Sequence, residues 1–115
     1  MTDLFAYKLL TEAEFHDWRE SGLFSGSAVD HTDGYIHLSA RPQVAETAAK
    51  YFADVDPLML VMVDLAALGE TVKWEPARNG ALFPHVYGSI PASAIAGKSR
   101  LRLGANGHHD FPAGF

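Results

Sequence analysis

The chain has 115 residues, with 9 Lys and Arg against 14 Asp and Glu, giving a formal net charge of −5. This length fits a single domain. The acidic balance argues against a general nucleic-acid binder, which usually carries a basic face. Because cysteine is absent, a structural disulfide, a thiolate nucleophile and a thiolate metal site are all excluded.

The sequence also lacks the usual signals for membranes and secretion. No apolar run approaches the ~20 residues that cross a bilayer. The N-terminus does not show a positive segment followed by a long apolar stretch. Small secreted domains often depend on disulfides, so we expect a cytoplasmic protein with no membrane partner.

The first part of the chain predicts a strand, a helix and a loop. The strand covers residues 5–10. Thr11 and Glu14 have the spacing of a capping box, and Gly22 supplies a left-handed end to the helix that follows. Residues 23–33 are rich in Ser, Gly and Asp and are expected to form a loop.

The middle of the chain predicts a second strand and a second helix. The strand covers residues 34–40, and the helix begins at Arg41-Pro42, since Pro is tolerated in a first turn. The run Leu58–Asp64 is apolar on both faces and is predicted to be a central strand. The remaining elements are a strand over 71–75, an irregular extended segment over 81–88 and a last strand over 98–103.

Strands outnumber helices and do not alternate strictly with them, so the predicted fold class is α+β. The domain is expected to span residues 1–103. Residues 104–115 combine Gly, Pro and His and are predicted to be a flexible tail.

A polar strand face is the first candidate for function. Tyr35, His37 and Ser39 alternate with apolar Ile36 and Leu38, which places the three polar-tipped side chains on one face. Such a face can line a ligand pocket. The alternative is an ordinary surface strand with a packed tyrosine.

Glu75 is the second candidate, because it lies between Trp74 and Pro76 at a strand end. Desolvation raises the pKa of a carboxyl group and a nearby cation lowers it. Either effect would make Glu75 a candidate acid, base or stabiliser of positive charge. The alternative is a surface carboxylate paired with Arg78 or Lys73.

The segment Phe83-Pro84-His85-Val86-Tyr87-Gly88 is the third candidate. Pro and Gly favour an unusual backbone path of the kind that forms pocket walls. His85 can titrate near neutral pH and orient a ligand hydroxyl. The alternative is a buried histidine bonded to a backbone carbonyl, with Tyr87 in the core. His37, Glu75 and His85 lack the short paired spacing of metal ligands, so no metal is expected.

Several motifs together resemble a bacterial domain-of-unknown-function family, number nine-five-two, over about residues 7–95. The matching segments are Gly34-Tyr35-Ile36-His37-Leu38-Ser39, residues 60–65, Lys73-Trp74-Glu75-Pro76, Leu82-Phe83-Pro84-His85-Val86-Tyr87-Gly88 and Ile90-Pro91. This family in turn resembles the ADP-ribosyltransferase fold, which includes the RNA 2′-phosphotransferases.

That resemblance implies a domain with two small sheets and two helices, whose cleft holds NAD or an ADP-ribosyl group. By position, Glu75 would stabilise an oxocarbenium-like centre or orient a ribose hydroxyl, and His37 would bind a ribose or a phosphate. Transferases of this fold usually hold NAD with a His-Gly or Arg-Gly pair on the first strand. Here that strand reads Tyr7-Lys8-Leu9-Leu10, so NAD is implied by fold analogy alone.

Three hypotheses follow. The first is a glycosyl- or phosphoryl-transfer enzyme, or a degenerate relative of one, that binds a nucleotide- or ribose-like ligand, with Glu75 and His37 as catalytic residues. Its ligand-binding residues would be Tyr35, Ser39, Arg41, Trp74, Arg78, His85 and Tyr87, with Arg41 or Arg78 neutralising a phosphate. The second is a non-catalytic small-ligand or protein-interaction module that uses the same pocket. The third is that the motif residues mainly hold an irregular backbone.

Overall fold

The computed structural model describes residues 3–115, which form eight strands and three helices. The strands are β1 (Phe5–Thr11), β2 (Leu23–Phe24), β3 (Ile36–His37), β4 (Leu58–Asp64), β5 (Val72–Pro76), β6 (Leu82–Val86), β7 (Ile90–Pro91) and β8 (Ile95–Leu101). The helices are α1 (Glu12–Ser21), α2 (Ala28–Asp33) and α3 (Val44–Tyr51).

The strands form three antiparallel sheets, with orders β1-β4-β8, β2-β7 and β3-β6-β5. This arrangement confirms the predicted α+β class. The resemblance implied two sheets and two helices, whereas the described residues form three of each. The likeness to the ADP-ribosyltransferase fold stays a prediction.

The hydrophobic core lies on the two faces of the β1-β4-β8 sheet. β4 lies in its centre, as its apolar sequence predicts. Alternate residues along the strands face opposite sides, so two core clusters form. The helix α1 packs on the first cluster through Phe15 and Trp18, and α3 packs on the second through Val44 and Ala48.

The start and end of α1 follow the sequence signals closely. Thr11 Oγ1 accepts a hydrogen bond from the Glu14 backbone at 3.1 Å, and the Glu14 carboxylate accepts one from the Thr11 backbone at 2.9 Å. Gly22 ends the helix with φ at 83°. The predicted capping box and left-handed end are confirmed.

The predicted loop over 23–33 is wrong, because this stretch contains β2 and α2. Ser27 donates to the Asp30 carboxylate from its backbone at 2.9 Å and from its hydroxyl at 3.0 Å. Gly34 ends α2 with φ at 89°. The Ser, Gly and Asp residues that indicated a loop therefore bracket a short helix.

The segment predicted to be irregular over 81–88 contains a regular central strand, β6. Pro84 has no backbone N–H, and it is tolerated in β6 because it lies beside the end of β3. A strand residue directs its N–H and C=O toward the same neighbour. The Pro84 carbonyl accepts from Leu38 N at 3.0 Å, just beyond the end of β3 at His37. The N–H that Pro84 lacks would therefore face a position at which the regular pairing of β3 with β6 has already stopped.

The strand predicted over 34–40 is shorter than expected, since β3 covers only Ile36–His37. Further along, Ser39 forms an isolated bridge with Tyr7 of β1 through two backbone hydrogen bonds of 2.8 Å. This bridge joins the two larger sheets at one point. The next pair of residues, Lys8 and Leu38, forms no backbone bridge in the described chain.

The segment 104–115, predicted to be flexible, lies against the second core cluster. Phe111 and Phe115 stack with ring centroids 5.3 Å apart, and Phe115 contacts Tyr7 edge-on at 5.4 Å. His109 is buried, with Nε2 2.6 Å from the Val55 carbonyl oxygen. The flexibility itself stays a prediction. In the described part of the chain, no helix is long and apolar enough to cross a membrane.

Candidate functional site

A cleft of about 630 Å³ lies beside the bridge between Tyr7 and Ser39, and residues of β1 and of the segment after β3 line it. Its walls are largely apolar, with polar groups contributed by Lys8, Glu14, Ser27, Asp33, His37, Ser39, Thr47, Arg78 and His85. A cleft of a few hundred Å³ with a small set of converging polar groups is the usual form of a small-molecule site.

His85 lies at the centre of the polar side of the cleft. In the β3-β6-β5 sheet it pairs with His37 on one side and Lys73 on the other, so the three share a face. The His85 Nδ1 is 2.7 Å from the Glu75 carboxylate, which also accepts a 2.8 Å hydrogen bond from the Tyr87 hydroxyl. These bonds, from His85 first and Tyr87 second, hold the pKa of Glu75 below its ordinary value.

The other ring nitrogen of His85, Nε2, has no hydrogen-bond partner within residues 3–115. The side chain is 4 % exposed and lines the cleft. Tyr35 stacks on the ring with centroids 4.1 Å apart. A carboxylate on Nδ1 favours the tautomer with a proton there and a lone pair on Nε2. His85 is therefore fixed in place with one nitrogen free for a ligand.

His37 has a different environment, because both of its ring nitrogens face carboxylates. Nδ1 is 2.6 Å from Asp30 Oδ1, and Nε2 is 2.8 Å from Asp33 Oδ2. The His37 ring lies edge-on to His85, with centroids 5.6 Å apart. Both ring nitrogens of His37 are therefore engaged by carboxylates, and neither is free for proton exchange.

A buried ion pair that the sequence analysis did not select supports His37. Lys8 Nζ lies 2.9 Å from Asp30 Oδ2 and 3.1 Å from the His37 carbonyl oxygen, and the two side chains are only 5 % and 1 % exposed. Burial alone would raise the pKa of Asp30, but the hydrogen bond from His37 and the charge of Lys8 hold it well below its ordinary value. Burial lowers the pKa of Lys8, against the opposing effect of Asp30.

Two signals for this pair are present in the sequence. Lys8 interrupts an otherwise apolar strand, and Ser27 and Asp30 have the spacing of a capping box with Asp in place of Glu. Neither signal shows that the two residues meet across 22 positions of the chain.

The opposite wall of the cleft carries a guanidinium and two hydroxyls. Arg78 donates to Thr47 Oγ1 from Nη2 at 3.2 Å, and its Nε lies 2.9 Å from Glu46 Oε1 in an ion pair. Thr47 Oγ1 lies 3.3 Å from Ser39 Oγ. The guanidinium also lies over the Phe83 ring at 4.9 Å. These contacts hold a nearly buried cation at a defined place in the cleft.

The structure brings most of the sequence-predicted site residues together. His37, Ser39, Arg78 and His85 line the cleft. Tyr35 and Glu75 contact these histidines without lining the cleft, and Tyr87 contacts Tyr35 and Glu75 in turn. The sequence analysis did not select Thr47, since nothing in its helix distinguishes it from a surface threonine.

The structure does not bring Trp74 and Arg41 to the cleft. Trp74 packs against the first core cluster, because neighbouring residues of β5 point to opposite faces and Glu75 occupies the polar one. Arg41 donates to the Gly114 carbonyl and lies over the Phe115 ring at 4.7 Å. In the described residues, no group of three or more His, Asp and Glu side chains is arranged to hold a metal ion.

The fold and the cleft define a small α+β domain with a histidine-centred polar site. The chain belongs to the family described as "Protein of unknown function (DUF952)", whose model matches residues 9–98. This match confirms the family resemblance. No curated protein matches the chain.

Solved structures of one similar protein, CC0527 from Caulobacter crescentus, share the fold. Its crystal structure has a TM-score of 0.88 at 44% identity, covering 92% of this chain and 93% of that chain. A double mutant of CC0527 gives 0.87 at 42% identity, covering 92% and 93%. Its solution NMR structure gives 0.81 at 44% identity, covering 92% and 91%.

Proposed function

We propose that the protein binds a nucleotide- or ribose-like small molecule in the cleft, and that His85 exchanges a proton with it during glycosyl or phosphoryl transfer. One observation carries the proposal. The imidazole of His85 is held by a carboxylate through Nδ1, while its Nε2 has no partner in the described chain and the ring lines the cleft. A histidine oriented in this way is suited to general acid–base catalysis.

In this proposal the free Nε2 accepts a proton from a ligand hydroxyl as that oxygen forms a bond to phosphorus or to the anomeric carbon. The bond from that atom to the leaving group breaks, and Nε2 returns the proton to the leaving group. Glu75 is a positioning residue, because it contacts His85 and not the cleft. His37 is a second positioning residue, because Asp30 and Asp33 occupy both of its nitrogens and its ring lies edge-on to His85.

NAD, the cofactor that the fold resemblance implies, fits the first strand poorly. The donors that would hold a dinucleotide there would come from Tyr7-Lys8. The Lys8 ammonium instead faces Asp30 and the His37 carbonyl. These contacts favour a ligand smaller than NAD.

A thermal-shift screen tests the binding part of the proposal. A ligand at ~100 times its dissociation constant adds ~2.7 kcal/mol of stability. The panel contains NAD, ADP-ribose, nucleotides, nucleosides and ribose phosphates, with amino acids and fatty acids as other classes. Stabilisation by another class alone would rule out the ribose-like ligand.

Turnover of any ligand found by this screen tests the role of His85. His85→Gln should reduce kcat by at least ~100-fold, since general acid–base catalysis contributes ~10²–10⁴. His16→Gln is the matched control, because His16 is exposed on α1 and does not line the cleft. Unchanged turnover in His85→Gln would refute the proton-exchange role.

A second candidate function is ligand binding without chemistry. It is favoured by the environment of His37, because His85 is then the only cleft histidine with a free ring nitrogen in the described chain. Under this alternative a ligand stabilises the protein but is recovered unchanged after prolonged incubation. Product formation that depends on His85 would exclude it.

A further inference from the structure

The charged groups of the cleft are unevenly distributed. Glu14 of α1 and Asp33 of α2 line one part, on the side of β1 to which Lys8 points and against which α1 packs. Thr47 of α3 and Arg78 line another part, and α3 packs on the opposite face of β1. One end therefore presents the carboxylates of Glu14 and Asp33 beside Lys8 and His37, and the other presents the guanidinium of Arg78.

We infer that the cleft is built for a phosphorylated, hydroxyl-rich ligand of the pentose phosphate class, with its phosphate on Arg78 and its hydroxyls toward Asp33 and Glu14. This inference rests on the proposed function and specifies its ligand. It also selects Arg78 over Arg41 as the arginine that binds the phosphate, a choice that the sequence left open. Arg41 is engaged by Gly114 and Phe115 instead.

Arg78 has the burial and the spare donors that a phosphate site needs. Its side chain is 10 % exposed, whereas its acidic partner, Glu46, is 66 % exposed, so solvent weakens that pairing. Its Nη1 donates to no group in the described chain. Guanidinium groups bind phosphate with paired, charge-assisted hydrogen bonds.

Two hydroxyls complete the arrangement beside Arg78. Thr47 Oγ1 accepts from Arg78 and donates to the Gln43 carbonyl at 3.0 Å. Ser39 Oγ lies 3.3 Å from Thr47 Oγ1 and can rotate its proton toward a phosphate oxygen. Ser39 is buried at 5 % exposure, so its hydroxyl is shielded from bulk water.

The backbone that carries Arg78 is also unusual. Asn79 has φ at 57°, the only positive φ at a non-glycine position among the described residues. Such conformations are costly and persist where the surrounding structure imposes them, often at ligand sites. The turn thus fixes the place where the guanidinium enters the cleft.

The other end of the cleft suits hydroxyl groups. Asp33 uses Oδ2 for His37, and Glu14 uses Oε1 for Thr11. Each carboxylate keeps an oxygen without a partner in the described chain. Carboxylate oxygens accept hydrogen bonds from hydroxyls, and the ammonium that lines this end, Lys8, is already paired with Asp30. The charge distribution therefore gives the ligand a defined direction.

NMR titration tests this inference with ribose 5-phosphate, inorganic phosphate and ribose as probes. We expect saturable amide shifts at Ser39, Thr47 and residues 77–80 with ribose 5-phosphate. Inorganic phosphate should bind the same residues more weakly, and ribose should bind weakest. Arg78→Gln should raise the dissociation constant of ribose 5-phosphate by at least about tenfold, because the charge-assisted hydrogen bonds to the phosphate are lost.

Arg102→Gln is the matched control, because Arg102 is an exposed arginine paired with Asp56 and remote from the cleft lining. It should leave affinity within about twofold, since surface ion pairs contribute little. Thr47→Val provides a second test that retains the guanidinium, and it should also weaken binding. Dispersed spectra of each variant verify that it is folded.

Three results would overturn the inference. They are equal affinity in Arg78→Gln and wild type, shifts confined to Lys98, Arg100 and Arg102, and no saturable binding of either phosphate probe. The His85→Gln variant separates the failure of this inference from the failure of the proposed function. If the variant still binds phosphate but the wild type turns over no ligand, the phosphate site is supported and only the proposed chemistry is contradicted.

Discussion

The buried pair of Lys8 and Asp30 gives the sharpest test of how the structure supports its cleft. The Asp30 carboxylate accepts hydrogen bonds from Lys8, from the His37 ring and backbone, and from the Ser27 backbone and hydroxyl. Asp30→Asn preserves the size of the side chain but removes its charge. The Lys8 ammonium is then left buried without a counter-charge.

We expect Asp30→Asn to reduce the free energy of unfolding by about 3–5 kcal/mol, the cost of breaking a buried ion pair. Solvent screening does not weaken this ion pair, because the side chains of Lys8 and Asp30 are 5 % and 1 % exposed. A domain of this kind has a total stability of ~5–15 kcal/mol, so the loss is large. Urea denaturation followed by circular dichroism measures it.

Asp33→Asn is the matched control, since Asp33 bonds the same histidine but its side chain is 41 % exposed. It should cost less than ~1 kcal/mol. Adding Lys8→Met to Asp30→Asn removes the unpaired ammonium and should recover part of the loss. A cost below ~1 kcal/mol for Asp30→Asn, or no recovery in the double variant, would refute this account of the pair.

The pH dependence of stability provides an independent test of the contribution of Asp30. The folded pKa of Asp30 lies below its ordinary value, so its contribution to stability is fully present above the ordinary pKa of ~3.9. That contribution is lost as the pH falls from there toward the folded pKa. The stability difference between wild type and Asp30→Asn should therefore narrow in acid. A difference that grew on acidification would contradict the assignment.

Other predictions concern the histidine site, the core and the C-terminal segment. Glu75→Gln should alter the tautomer balance of His85 in ¹⁵N NMR spectra, whereas Glu70→Gln, at an exposed position, should not; equal spectra would remove the positioning role. Trp18→Phe should cost little despite the 1 % exposure of Trp18, because its indole N–H has no partner in the described chain and losing it removes an unsatisfied donor; a cost above ~3 kcal/mol in thermal unfolding would contradict this. Phe115→Ala should lower stability by about 1–3 kcal/mol, less than a full core truncation, because Phe115 contacts Tyr7 and is only partly buried; no change in urea midpoint would mean that this contact contributes nothing.

Local sequence signals correctly predicted the elements that are specified by residues close together in the chain. Thr11, Glu14 and Gly22 set the limits of α1 because capping and left-handed conformation depend on residues a few positions apart. The apolar run Leu58–Asp64 indicated a central strand because only a doubly covered strand is apolar on both faces. The alternation around His37 likewise placed the polar side chains on one sheet face.

Local signals failed where a residue's role depends on a distant partner. The segment 81–88 contains Pro and Gly, which indicate irregular backbone, yet β6 is regular because β3 ends beside Pro84. The Ser-rich segment 23–33 contains α2 because Asp30 gains partners from β1 and β3. In both cases the tertiary structure overrides the local preference.

By itself, the sequence determined the α+β class, the family and the polar character of the His37 and His85 strands. Only the tertiary structure decided that Lys8 and His37 both bond Asp30, that Glu75 bonds Nδ1 of His85, and that Arg78 rather than Arg41 lines the cleft. The physical reason is that strand alternation fixes which face a side chain occupies, whereas pairing between residues far apart in the chain, such as Tyr7 with Ser39, fixes which faces meet.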